Sequence, residues 1–204
     1  MNRAIKLTII AVLILLTTIN GFAQRPRLGF FINAAGSFPS NKDIKNGFGT
    51  GIGALLLANQ NIALSLEWKY GRYSVDNTEG EFLKGSLYIT PLLLSFRYNI
   101  QTGIAFTPYI FGGGGIFFNN YRLDESENLE EANIRKQNVK NGLGFVGGIG
   151  SLYKINAKIA VFIEGLYFGR KTEIETIYID KSPSSTFKTN LSSFSILIGL
   201  NYFY

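Results

Sequence analysis

Five charged residues interrupt stretches that otherwise alternate apolar with small or polar side chains: Glu67, Lys69, Arg97, Glu164 and Arg170. Gathered in one interior, two carboxylates and three cations offer three kinds of chemistry: proton transfer, a path for ions, or mutual neutralisation. Proton transfer has little else to work with. The chain holds 0 histidines, so the usual general base of acyl transfer is missing, and no compact serine–lysine or paired-carboxylate signature replaces it. It also holds 0 cysteines, which excludes disulfides, thiolate metal ligands and lipid attachment through a thiol. The sequence therefore reads as a non-enzyme, with no catalytic residue, no cofactor-binding residue and no metal ligand. The five charges read as an interior network that fixes strand register and plugs a lumen. Were they instead a gate on an ion path, Arg97→Ala would raise conductance.

Other patterns are weaker than they look. Gly142-Leu143-Gly144-Phe145-Val146-Gly147 fits the dinucleotide fingerprint, and Gly49-Thr50-Gly51-Ile52-Gly53-Ala54 fits its alanine-ended form. Neither opens a helical pattern that would offer an N-terminus to a pyrophosphate, and a chain with 23 glycines produces such matches by chance. Gly47, Gly49, Gly51 and Gly53 recur at every second position, which bares one strand face and makes room for large side chains opposite; Gly112–Gly115 serves similarly and permits a bend. Asp124, Glu125, Glu127, Glu130 and Glu131, followed by Arg135 and Lys136, lack the ligand spacing of a calcium loop. The i,i+4 pair Glu131 and Arg135 predicts a short solvated helix starting near Ser126.

The elements that must position these residues are strands. From Ser192 to Tyr204 the chain alternates strictly, with Phe194, Ile196, Ile198, Leu200, Tyr202 and Tyr204 on one face and Ser193, Ser195, Leu197, Gly199, Asn201 and Phe203 on the other. Eight strands are predicted: Leu28–Gly36, Phe48–Leu57, Ile62–Val75, Gly85–Asn99, Ala105–Asn120, Gly142–Tyr153, Ile159–Lys171 and Leu191–Tyr204. Their lengths exceed those of ordinary soluble strands and suit the roughly 9–11 residues a tilted strand needs to cross a bilayer. Short connectors (Ala58–Asn61, Ile100–Ile104, Lys154–Lys158) alternate with long polar ones (Ser37–Asn46, Asp76–Lys84, Tyr121–Asn141, Thr172–Asn190), the pattern of an up-and-down barrel with tight turns at one end and long loops at the other. In a soluble barrel the face carrying Leu64, Leu66, Trp68, Leu92, Leu94, Phe96, Ile196 and Ile198 would meet water, which so broad an apolar surface disfavours. Glu67, Lys69 and Arg97 lie opposite that face and point inward. Glu164 and Arg170 share a face of the seventh strand, whose orientation Phe162, Leu166 and Phe168 leave open, as the glycines leave open that of the second, fifth and sixth.

The N-terminus carries an export pattern. Arg3 and Lys6 precede an apolar run from Leu7 to Ile19, and Gly21-Phe22-Ala23 supplies small residues for cleavage after Ala23. Residues 1–23 are thus expected to be a removed signal peptide and residues 24–204 a single barrel domain. The formal charge of +6 falls by two, to +4, once Arg3 and Lys6 leave. The long loops carry +1, −2, −1 and −1, so the basic excess lies in strands, turns and the N-terminal segment, with Arg25, Arg27, Lys154 and Lys158 near the turn end. No Lys/Arg cluster is interleaved with aromatics, which excludes a nucleic-acid partner. Tyr98, Tyr202 and Tyr204 are expected in an aromatic girdle at that end, with Trp68, Tyr70 and Tyr73 towards the other.

On the Tyr88-Ile89-Thr90-Pro91-Leu92-Leu93-Leu94 strand, the Pro108-Tyr109-Ile110-Phe111-Gly112-Gly113-Gly114-Gly115 strand and the terminal Gly199-Leu200-Asn201-Tyr202-Phe203-Tyr204, the chain resembles small eight-stranded outer-membrane barrels of the OmpA/OmpX type, and more narrowly the PorT-like outer-membrane β-barrel domain family. Gly199, Tyr202 and Tyr204 are similar to the C-terminal signal by which such barrels reach their assembly machinery, although Leu197 stands where that pattern usually has a polar residue. The resemblance implies outer-membrane lipid and lipopolysaccharide as surroundings, the barrel assembly machinery as a partner, and no activity or cofactor. The expected protein is all-β, a transmembrane antiparallel eight-stranded up-and-down barrel of a Gram-negative outer membrane, exported through the Sec pathway with both termini periplasmic. Its expected role is structural or surface-interacting, through envelope integrity and binding by its loops to extracellular or periplasmic protein partners. The alternatives are an accessory component of a secretion or export machine and a narrow pore.

Overall fold

The computed structural model describes residues 26–76, 83–124, 134–179 and 184–204; the expected signal peptide lies outside them. Eleven strands run in chain order among the described residues: β1 (Arg27–Pro39), β2 (Gly47–Leu57), β3 (Ile62–Val75), β4 (Gly85–Asn99), β5 (Phe106–Leu123), β6 (Ile134–Val139), β7 (Gly142–Lys154), β8 (Ile159–Gly169), β9 (Lys171–Tyr178), β10 (Ser185–Asn190) and β11 (Ser193–Phe203). Eight of them close into an antiparallel barrel in the order β1-β2-β3-β4-β5-β7-β8-β11, with β11 returning to β1. The seam is a continuous ladder from Gly29↔Phe203 to Pro39↔Ser193, so the sheet has no free edge. The strands predicted for residues 62–75 and 85–99 coincide with β3 and β4, because both are long, alternating and bounded by polar turns.

The period-two pattern sorts the side chains cleanly. Inside lie Phe31, Leu55, Leu93, Tyr109, Phe117, Phe162, Leu166 and Leu197, all buried. Outside, exposed apolar residues such as Phe30, Ile32, Ile52, Leu66, Leu92, Ile110, Ile149, Ile163 and Ile198 form a belt around the whole barrel. The glycine-rich strands take one register each. Gly47, Gly49, Gly51 and Gly53 face inward, where a Cβ at Gly51 would stand 2.8 Å from Asn33 Oδ1 and one at Gly150, on β7, 2.6 Å from the Tyr109 ring. Those two glycines make room for the interior polar and aromatic side chains that cross the lumen.

Aromatics ring the belt at both ends. Tyr98, Phe106, Tyr153 and Tyr202 are exposed at the end carrying the short turns, while the contacts Phe38–Phe194, Tyr70–Tyr88 and Phe145–Tyr167 stand towards the loop end. On β11 the step from Phe194 to Tyr202 is eight residues, about 26 Å along the strand and about 20 Å along the axis at a ~40° tilt, near the ~25 Å band of membrane barrels. Two aromatics depart from the expected girdle. Trp68 pairs with Ile52 and Leu92 at mid-belt, and Tyr73 is buried on the inward face, because its odd position shares the phase of Glu67 and Lys69. Arg72 and Arg122 are the charges on the outward face of the described barrel strands, both near the loop end and both packed on Tyr88.

The turns are tied by asparagine. Asn59 Oδ1 accepts the backbone N–H of Asn61 and Ile62, and Asn156 Oδ1 accepts those of Lys158 and Ile159. The opposite end differs from a set of plain loops. β6, β9 and β10 form a separate three-stranded sheet in the order β10-β9-β6. Residues 125–133, which include Glu131 and most of the expected helix, lie outside the described residues; Arg135 and Lys136, which follow it, belong to strand β6. β6 pairs with β9, whose Thr172, Ile174 and Thr176 are buried in alternation with Lys171, Glu173 and Glu175. The predicted strand Ile159–Lys171 is likewise two elements. Arg170 leaves the ladder: its N–H donates to Ser192 Oγ and its carbonyl accepts from the Leu191 N–H, so β8 ends at Gly169 and the chain departs into β9.

Candidate functional site

Four of the five charges meet at mid-barrel. β4 and β8 bring Arg97 Nη2 to 3.0 Å from Glu164 Oε1, with both side chains 7% exposed. The same oxygen accepts the Tyr109 hydroxyl at 2.7 Å, and the Arg97 guanidinium lies 4.0 Å from the centre of the Tyr109 ring. On the other side of the lumen Glu67 Oε1 accepts Asn33 Nδ2 at 2.6 Å and stands 3.2 Å from Lys69 Nζ. The Lys69 ammonium is 5.5 Å from the Phe168 ring centre, so each cation has a carboxylate and an aromatic face. Charges taken out of water need such partners, and here each carboxylate is also hydrogen-bonded by a neutral side chain.

Arg170 is not part of that group. At the loop end its guanidinium stacks over Phe117 at 4.8 Å and Nη1 donates to Asn119 Oδ1 at 2.8 Å. No carboxylate pairs with it among the described residues. Gly199 stands inward on β11, where a Cβ would crowd the Phe162 ring, while Tyr202 and Tyr204 point outward at the turn end, the latter donating its N–H to Leu28 O.

Sequence reasoning missed Asn33 and Tyr109, which complete the network. The signal was present in phase alone: Asn33 lies between Phe31 and Ala35 on the inward face of β1, and Tyr109 lies on the inward face of β5. Neither charge nor spacing marked them.

The network divides the lumen. Above it, towards the loops, a small cavity of about 40 Å³ lies among Asn33, Lys69, Tyr73, Phe117 and Arg170. Below it, an open vestibule of about 530 Å³ reaches the turn end, with Arg97 among its lining residues and Leu55, Leu152 and Phe203 on its walls. Among the described residues no group of three His, Cys, Asp or Glu side chains could hold a metal ion. The arrangement pairs each of its carboxylates with a cation, and no nucleophile stands beside a base among its described residues.

No family model matches the sequence, and no curated protein matches it, so the narrower PorT-like resemblance rests on the strand motifs alone. Solved structures do match. The crystal structure of the outer membrane protein OprG from Pseudomonas aeruginosa superposes with a TM-score of 0.66 at 14% identity, over 88% of this chain and 94% of that one. Neisserial surface protein A superposes with a TM-score of 0.61 at 13% identity, over 88% and 99%. The outer membrane protein AlkL, determined in DMPC lipid bilayers, gives 0.58 at 13% identity, over 90% and 92%.

Proposed function

We propose that this protein is a small integral outer-membrane barrel that acts through its architecture and its loop-end surface, without catalysis. The observation that supports the reading is the pairing of a charge-free apolar belt between two aromatic rings with an interior whose charges meet in ion pairs. Water would be a poor neighbour for that belt, and lipid a good one. The fold shared with OprG, Neisserial surface protein A and AlkL supports the same setting.

In this reading residues 1–23 are the cleaved Sec signal, residues 24–204 the barrel, and the short turns and both termini face the periplasm. Gly199, Tyr202 and Tyr204 serve recognition by the barrel assembly machinery. Lipid and lipopolysaccharide surround the belt, and the β6-β9-β10 sheet stands above the membrane as the surface offered to external partners, which supports a role in envelope integrity or loop-mediated binding. Gel mobility of the outer-membrane fraction, with and without boiling in detergent, tests this. A band that shifts on heating, with β-rich circular dichroism, is expected; a soluble periplasmic protein without a shift would overturn the reading.

A further inference from the structure

The vestibule below the network is lined by charge of one sign. Arg27, Arg97 and Lys154 line it, and no Asp or Glu does. The turns that rim it, Ala58–Asn61, Ile100–Ala105 and Ile155–Lys158, contain no carboxylate either. Its volume of about 530 Å³ falls within the roughly 300–1,000 Å³ of small-ligand sites. Low-dielectric walls of Leu55, Leu57, Leu152 and Phe203 concentrate the field of Arg27 and Lys154, while the charge of Arg97 is paired with Glu164.

Hydrogen-bond donors converge there as well. Arg97 is 6% exposed, yet its Nε–H has no partner among the described residues. Asn59 and Asn156, also in the lining, commit their carboxamide oxygens to the turn backbone, which leaves their Nδ2 groups as donors at the wall. The Arg27 guanidinium, the Lys154 ammonium, the unpartnered Arg97 Nε–H and amide donors, with an apolar wall, are the chemistry of an oxyanion site.

We infer that the vestibule is a binding site for a small organic oxyanion, a carboxylate- or phosphate-bearing molecule that enters between the short turns. The placement of that entrance in the periplasm rests on the membrane reading above; the binding itself needs only the closed barrel. Arg97 forms the inner end of the site, held by Glu164 and Tyr109, and Arg27, which donates to Ala157 O and stacks on Phe203, forms the exposed rim with Lys154.

Calorimetric titration of the refolded protein in uncharged detergent micelles tests this, with citrate and inorganic phosphate as probes and glycerol as the uncharged control. Saturable binding of one or both anions, weakened by added salt, is expected, and the anion bound more tightly identifies the source chemistry. Arg27→Gln/Lys154→Gln should weaken binding at least tenfold, whereas Arg27→Lys/Lys154→Arg should retain it. Both side chains are exposed, so the heat-shifted band should persist in each variant. No binding of either anion at millimolar concentration, glycerol binding equally well, or wild-type affinity in the double glutamine variant would overturn the site. Loss of the heat shift in the wild type would instead remove the closed barrel on which it stands.

Discussion

A double-mutant cycle on Arg97 and Glu164 gives the sharpest test of the interior network. Both side chains are 7% exposed and joined at 3.0 Å, so removing either charge strands the other in a medium that hydrates it poorly. Breaking a buried pair in this way costs about 3–5 kcal/mol, whereas replacing both members by uncharged groups of similar volume is often near neutral. Glu164→Gln keeps an oxygen for the Tyr109 hydroxyl and for one guanidinium N–H, which sets the expected loss at the low end, about 3 kcal/mol. Arg97→Met keeps an unbranched apolar stem but removes the stacked guanidinium, for a similar loss. The double variant should lie within about 1 kcal/mol of wild type, against about 6 if the sites were independent. Unfolding by urea in phospholipid vesicles, followed by the fluorescence of the single tryptophan, Trp68 on the outer belt, reads the difference. Single variants each losing under about 1 kcal/mol, or a double loss equal to the combined singles, would show that the pair does not hold the barrel together.

Three further outcomes follow. Arg97→Ala should lose stability without raising conductance in planar bilayers, because Tyr109 and the Asn33–Glu67–Lys69 group still cross the lumen; discrete new openings would favour an ion path. Ile198→Arg, at the middle of β11 on the outer belt, should cost roughly 2–4 kcal/mol in bilayers, and a neutral result would argue against burial of that belt in lipid. In the second sheet, Lys140 Nζ lies 3.0 Å from Glu173 Oε2, and this hydrogen bond and charge hold the Glu173 carboxyl below its usual range and push Lys140 up. Glu173 therefore contributes above the ordinary carboxylate pKa and loses its contribution as pH falls through its lowered folded value, while Lys140 contributes below the ordinary lysine pKa and loses it as pH rises through its raised value. Amide exchange in β6 and β9 should quicken in acid below about pH 4 beyond the change in intrinsic rate; the same response in Lys140→Gln would refute the pair's role. The effect is small because both groups are exposed.

What the sequence disclosed follows from how each feature is encoded. The eight barrel strands were legible because a period of two, sustained past the length of a soluble strand, has few other meanings; β3 and β4 show it without ambiguity. The inward direction of Glu67, Lys69 and Arg97 followed from the same phase. Glycine hid the rest. A strand such as β2 has small residues on one face whether that face looks in or out, and its orientation is decided by the side chains that lean over it from the neighbouring strand β1, Asn33 and Phe31 among them. Strands β6, β9 and β10 are hidden in the sequence because their segments are polar. In β9 the run from Thr172 to Thr176 does alternate β-branched with charged residues, but β6 needs a partner distant in sequence to become a strand at all. Asn33 and Tyr109 carry no mark of their own: an asparagine or tyrosine on an inward face becomes a ligand of a carboxylate only when the ladder sets it opposite one.

The seam between β1 and β11 also dictates an order of events. Gly29 pairs with Phe203, and Ser37 Oγ meets Ser195 Oγ at 2.7 Å in the buried interior. These contacts join the two ends of the sheet, among the most distant in sequence the chain can make, and the entropy of closing so long a loop is met only after the intervening hairpins have formed. The circle therefore closes last. Until it does, β1 and β11 each present a row of unpaired amides and carbonyls, and a chain truncated before Ser193 would keep β1 and β8 in that state indefinitely, open to any passing strand.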